Sequence, residues 1–292
     1  MTSLGRALWT SVLLSAGGDV SSRRRSILVV GARDLDSGKT TVAVALLEAL
    51  RRRGRSCCGF KPKAGNNLWY DFDVVSKSLH QGRLFGHDAQ LLRQSSCVPL
   101  VEEQVNPVHR LHPVPSTGPP APSAFFVLDR VSTWNNGHLQ TAVVNRMFEA
   151  SREALPLVDR FLSRCDRVIY VEDTRQLADL ASTLYEEAIA SAHRVLKARC
   201  DTIVCESFSD VAVPWGGMES PDTVLVVAPG EVREYDPDRY FQAASMLSGM
   251  LNETSTGRIL EVLSPLRTIR IPPLTSDRRV ERLQQQLSQI VY

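Results

Sequence analysis

Ser26-Ile-Leu-Val-Val-Gly31 runs directly into Gly31-Ala-Arg-Asp-Leu-Asp-Ser-Gly-Lys-Thr-Thr41, and this junction decides the fold. A short, continuously apolar, β-branched run ending in glycine reads as a strand buried on both faces of a parallel sheet. From Gly38 to Arg53, Val42, Ala43, Ala45, Leu46, Leu47 and Leu50 recur at helical spacing, and Gly54 ends that helix. A strand, a turn and a helix opening on Gly-Lys-Thr together aim backbone N–H groups and the positive end of a helix dipole at one point. That arrangement suits a phosphate.

The turn follows the phosphate-loop spacing G-x-x-x-x-G-K-[ST] except that Arg33 stands in the first-glycine position. Lys39 is expected on the β and γ oxygens of a nucleoside triphosphate and the Thr40 hydroxyl on Mg²⁺. Asp34, Asp36, Ser37, Gly38 and Thr41 complete the cradle, with Asp36 also read as a group orienting a nucleophile or a substrate ammonium. Its closeness to a triphosphate calls for an intervening cation.

Outward from this loop, Cys57 to Phe60 is a second strand, giving a β-α-β opening. Residues 71–95 read as two short helices broken around Gly82 and Gly86. Pro107 to Ser123 reads as a proline-rich loop, an insertion or lid around 108–124. Phe125 to Val131 is a predicted strand and Leu139 to Arg164 a long helix with an irregularity at Pro156. Strands at Arg167–Val171, Thr202–Cys205 and Thr223–Val227, a helix after Pro237, a late strand within Leu260–Ile271 and an amphipathic helix from Asp277 to Val291 complete the chain. The alternation predicts one doubly wound α/β domain over 26–292 with a mostly parallel sheet and a P-loop NTPase fold. Residues 1–25 read as a disordered leader. The last helix is a packed surface helix or a homodimer face.

The chain has 292 residues, 43% hydrophobic and 23% charged, with a net charge of +2. This is ordinary for a globular protein and gives no bulk attraction to nucleic acid or anionic membrane. Six cysteines without a CxxC pair or zinc spacing read as reduced, and no apolar run is long enough to span a bilayer, so a cytoplasmic location is expected. Basic positions comprise five lysines and 29 arginines, and three of the lysines (Lys39, Lys61, Lys63) fall in the two segments read as phosphate- or substrate-binding. A lysine kept in so arginine-rich a chain suggests a need for a compact point charge.

Asp34-Leu-Asp-Ser-Gly-Lys-Thr40 resembles the modified phosphate loop of dethiobiotin synthetases, G-T-D-T-x-V-G-K-T. Asp34 falls on its aspartate, Ala32 on its glycine, and Gly31 lies one residue early. Four further segments agree in the same order: Gly59-Phe-Lys-Pro-Lys-Ala-Gly65, His87-Asp-Ala-Gln-Leu-Leu-Arg93, Val105-Asn-Pro107, and Asp201-Thr-Ile-Val-Cys-Glu206 followed by Val213-Pro214. The resemblance implies that Lys61 binds phosphate and substrate and that Asp88 and Glu206 join Thr40 as Mg²⁺ ligands. It also implies ATP as the nucleotide and a small-molecule substrate. The activity implied is that of a ligase in which a carboxylate or carbamate is activated by ATP, as in these synthetases and their cobyrinate-amidase relatives. Ser207-Phe-Ser-Asp210 replaces the G-A-G-G that follows the family's glutamate, and Gly65 replaces a small polar residue.

Other readings stand beside these. Glu172 and Asp173 also end a strand and compete with Glu206 for a metal. Asp88 after Gly86 is also a helix cap. Lys63, Asn66, Asn67 and Trp69, with Tyr70, form a substrate wall, or Trp69 and Tyr70 are core aromatics. His109 and His112 read as solvated loop histidines. The alternatives to a ligase are a regulatory or assembly ATPase whose nucleotide state controls dimerisation or a partner, and a small-molecule kinase.

Overall fold

The computed structural model describes residues 24–33, 37–114, 126–146, 156–248, 254–273 and 275–288. Its frame is a six-stranded sheet, with β1 (Arg25–Gly31) at the centre beside β8 (Thr202–Glu206) and β9 (Thr223–Ala228), all parallel. β2 (Cys57–Phe60) adds in parallel to β8 and forms one edge. β10 (Glu231–Tyr235) and β11 (Arg267–Arg270) extend the other side antiparallel. β1 and β8 carry the continuous apolar burial expected of strands covered on both faces.

Side chains alternate across a strand, and β2 shows which helix covers which face. Cys57 turns its thiol to the Leu47 carbonyl of α1 (Lys39–Arg52), whereas the Phe60 ring packs against His193 of α7 (Glu186–Arg199), with centroids 5.6 Å apart and the planes tilted by 32°. Helices therefore lie on both faces. The apolar stripe of α1 read from the sequence, Val42 to Leu50, is buried as expected.

A second sheet, in the order β3-β4-β5-β6-β7, begins where Lys61-Pro62 ends β2. Proline lacks an N–H for a ladder, and the Lys61 N–H turns aside to the Val105 carbonyl at 2.7 Å. The members are β3 (Lys63–Asn67), β4 (Val108–His112), β5 (Leu128–Thr133), β6 (Leu139–Asn145) and β7 (Arg167–Val171). Pairs β3–β4 and β6–β7 are parallel, and β4–β5 and β5–β6 antiparallel. α2 (Phe72–His80) and α5 (Pro156–Leu162) cover a second apolar cluster on it, formed by Val75, Leu79, Leu111, Leu128, Val144 and Phe161. α7 packs against both β5 and β8 and so joins the two sheets.

Three expectations change. The loop read from Pro107 is strand β4 as far as His112, and its remainder, 115–124, lies outside the described residues. The helix read from Leu139 begins instead as strand β6, 147–155 lie outside the described residues, and α5 runs from Pro156 to Leu162. The strands of the expected single sheet divide between two. The α/β class and the P-loop NTPase fold stand.

Candidate functional site

Strand register assembles the site. Phe60 lies beside Cys205, and Val29 beside Glu206, so Lys61, Glu206 and the loop after β1 emerge at one carboxyl-end edge of the sheet. This edge is where open α/β sheets hold ligands. α3 (His87–Ser95) packs on α1 and β2 and brings Asp88 to the same point from its first turn.

There, Lys61 donates to Glu206 Oε1 at 2.7 Å and to Asp88. The Thr40 hydroxyl lies 2.8 Å from Glu206 Oε1 and 3.1 Å from Asp88 Oδ1. One hydroxyl carries one proton and cannot donate fully to both. Glu206 is fully buried, and its Oε2 has no hydrogen-bond partner, nor has the neighbouring Ser207 hydroxyl. Burial raises the Glu206 carboxyl above the ordinary glutamate range even against the pull of Lys61. Burial acts in the same sense on Asp88, but there the Lys61 ammonium and the Thr40 hydroxyl prevail and hold it below its usual value. Burial also opposes the charge of Lys61, yet Glu206 and Asp88 together keep it above the usual lysine range.

This donor set suits a small, hard divalent cation: two carboxylates and a hydroxyl converge, and one carboxylate oxygen is buried and unsatisfied. Among the described residues no group of three or more His, Cys, Asp or Glu gathers, so further oxygens would come from phosphates and water.

Lys39 is nearly buried at the start of α1 and donates to the Ser209 carbonyl at 2.6 Å. Gly31 explains how the loop manages without glycine at position 33. A Cβ on residue 31 would lie 2.8 Å from the Arg33 carbonyl oxygen and 2.7 Å from Lys39 Nζ, so glycine is needed two residues earlier than the pattern places it. Ser37 donates to the Arg33 carbonyl at 2.9 Å, closing the loop on itself. Asp34 and Asp36 lie outside the described residues.

Beside the loop is a cleft of about 290 Å³. Ser37, Gly38 and Thr41 form one wall, the Ala228-Pro229-Gly230 turn a second, and Pro272, Pro273 and Arg279 a third. Arg279 belongs to α10 (Ser276–Leu287). The sequence reading missed this cleft, because its walls are far apart in the chain.

The remaining candidates are more dispersed. Lys63 opens β3. Asn66 is buried with its Oδ1 unpartnered. Asn67 organises the turn that follows: its Oδ1 accepts from the N–H groups of Trp69 and Tyr70, and its Nδ2 donates to the Pro113 carbonyl. Trp69 and Tyr70 are 67% and 78% exposed and are not core aromatics. His109, read as a solvated loop residue, is wholly buried in β4 and bonds Asn106 Oδ1 at 2.8 Å through Nδ1. Glu172 pairs with Arg146, and Asp173 caps a helix by accepting from the Gln176 N–H, so both rivals of Glu206 have structural partners of their own.

A buried lysine at the head of α1, a glycine-dependent turn after a central parallel strand, a glutamate at the end of the neighbouring strand and an aspartate from α3 define a P-loop NTPase fold. No protein-family model matches the chain. Part of the chain is similar to ATP-dependent dethiobiotin synthetase BioD of Cellvibrio japonicus, with 40% identity over 85 residues, 29% of this chain and 32% of that protein. It is also similar to ATP-dependent dethiobiotin synthetase BioD 2 of Yersinia pestis and to BioD of Yersinia pseudotuberculosis, each 39% identical over 80 residues, 27% of this chain. The match thus spans about a third of the length of these relatives. Over that stretch the chain is similar to dethiobiotin synthetases, from which it diverges elsewhere.

Proposed function

We propose that the protein is an ATP- and Mg²⁺-dependent enzyme of ligase type that activates a carboxylate or carbamate on a small molecule. The observation that carries this reading is the convergence of Thr40, Lys61, Asp88 and Glu206 beside Lys39, with Glu206 Oε2 buried and unsatisfied. In this reading Lys39 and the N–H groups of the loop, with Ser37, Gly38 and Thr41, hold the β and γ phosphates, and Asp34 and Asp36 flank them. Thr40, Asp88 and Glu206 would hold Mg²⁺, which when bound neutralises phosphate charge. The cleft walled by Pro229, Pro272 and Arg279 would take the nucleoside.

Lys61 sits between the phosphate and substrate sides. Its compact ammonium suits the γ-phosphoryl group as that group passes from the leaving oxygen to the acceptor and negative charge builds on the leaving oxygen. Lys63, Asn66, Asn67 and Trp69 follow it on the strand and turn leading away, a placement suited to gripping the acceptor. Catalysis would consist mainly of positioning and charge neutralisation. A cytoplasmic location and a homodimer belong to the same proposal. Among the described residues no helix is long and apolar enough to cross a membrane.

A regulatory or assembly ATPase is the second reading, favoured by the exposure of Trp69, Tyr70 and Phe72, which would suit a partner surface. The two are separated by a screen of carboxylates and amines for stimulated ADP release, with Lys39→Ala as control. A ligase shows at least tenfold stimulation by one substrate class. Slow, unstimulated hydrolysis with ATP-dependent dimerisation would replace the first reading by the second.

A further inference from the structure

We propose that Cys57 and Cys97 are a peroxide-responsive thiol pair that closes to a disulfide, stapling β2 to the end of α3. Their sulfurs lie 3.1 Å apart, and the Cys97 N–H donates to the Cys57 carbonyl at 2.8 Å, so the two backbones already run side by side. Ser96 strengthens the alignment: its hydroxyl accepts from the Gly59 N–H at 3.0 Å. Bond formation needs an approach of about 1 Å, within the give of two side chains whose backbones are already adjacent.

Access makes the pair selective. Cys97 is exposed, whereas Cys57, Cys58, Cys200 and Cys205 are buried. Cys58 and Cys200 also contact each other, but neither presents its sulfur to an oxidant in solution. Cys165 is half-buried and engaged with Gln140.

The chemistry balances with hydrogen peroxide as oxidant. The Cys97 thiolate attacks the O–O bond, becomes a sulfenic acid and releases hydroxide, which takes up the proton the thiol lost. The Cys57 sulfur, giving up its proton, then attacks the Cys97 sulfur and expels the sulfenic oxygen as water. Two thiols and one peroxide become one disulfide and two waters. Burial raises the Cys57 thiol, so the second step is slow and quickens as pH rises. The closed ring encloses both Lys61 and Asp88, and so joins covalently the two elements that present this ion pair. The inference concerns thiol chemistry and does not depend on the proposed enzymatic reading.

The test uses the full chain treated with hydrogen peroxide, alkylated, digested without reduction and mapped by mass spectrometry. The expected result is a linked Cys57–Cys97 peptide, loss of two titratable thiols, full reversal by dithiothreitol and a higher melting temperature for the oxidised form. Cys97→Ser, a change at an exposed position, should abolish all four effects, and Cys58→Ser should leave the link intact. Recovery of Cys97 as free thiol, or as sulfinic or sulfonic acid with Cys57 unlinked, overturns the proposal. So does a Cys58–Cys200 link in its place.

Discussion

Glu206 and Lys61 exert opposite pulls on a cation. Glu206 offers a buried, unsatisfied oxygen, while the Lys61 ammonium already occupies the space between the two carboxylates. Glu206→Gln should therefore weaken Mg²⁺-supported nucleotide binding by roughly tenfold or more, as expected when a charged ligand becomes neutral. Lys61→Met should act in the opposite sense on the nucleotide-free protein. Removing the resident ammonium should tighten Mn²⁺ binding, read by paramagnetic resonance titration, even as turnover falls. Equal loss of cation affinity in both variants would remove Lys61 from this role. His109 makes a second prediction at this scale. Burial, reinforced by Arg130 and Lys61, depresses its pKa well below the usual 6.5. The unfolded chain then binds the proton more readily, so stability falls as pH drops below about 6.5, with a slope approaching 1.4 kcal/mol per pH unit from this residue. Urea titrations between pH 8 and 5.5 should show that slope in the wild type and its reduction in His109→Gln.

Among the elements, α4 (Glu102–Val105) is too short to be stable alone and is anchored by its acids. Arg83 bonds both Glu102 and Glu103, and Arg93 bonds Glu102 at 2.8 Å. Burial tends to raise the Glu103 carboxyl, but its bond to Arg83 prevails and holds it below 4.5. That stabilisation is present above pH 4.5 and is lost as pH falls through the lower folded value. Glu103→Gln should cost about 1–3 kcal/mol at pH 7 and progressively less in acid, measured by denaturant midpoints. Elements with strong local patterns were legible in the sequence: β1, α1, β2, β7, β8 and β9 lie where periodicity and punctuation place them. β6 was not, since Leu139-Gln-Thr-Ala-Val-Val-Asn145 lacks a clean alternation and adjoins helix-compatible residues. The informative signal was Asn136-Gly137, a hairpin dipeptide, and Gly137 does take φ 131° between β5 and β6. β4 was hidden by the prolines on either side, although all five of its residues pair with β3 and four of them, Val108 to Leu111, pair with β5.

For the molecule as a whole, the phosphate-side residues were legible because the loop is local in sequence and its partners sit at strand ends. The cleft beside it was not, because residues near 37, 229 and 279 meet only after the strand order is set. Its third wall gives a prediction. ATP with Mg²⁺ at a hundredfold excess over Kd should stabilise the folded chain by about 2.7 kcal/mol, seen as a rise in melting temperature. Lys39→Ala should remove the shift, whereas Arg279→Ala should reduce it.

The placement of Ser96 and Cys97 has one more consequence. β2 ends the six-stranded sheet, and an open edge of this kind is a template on which another chain can add a strand. Cys97 already occupies the Cys57 carbonyl and Ser96 the Gly59 N–H, so the edge offers a visitor little to pair with. The tail of α3 thereby serves as a guard against self-association, and Ser96→Ala should leave a soluble protein more prone to aggregate on storage.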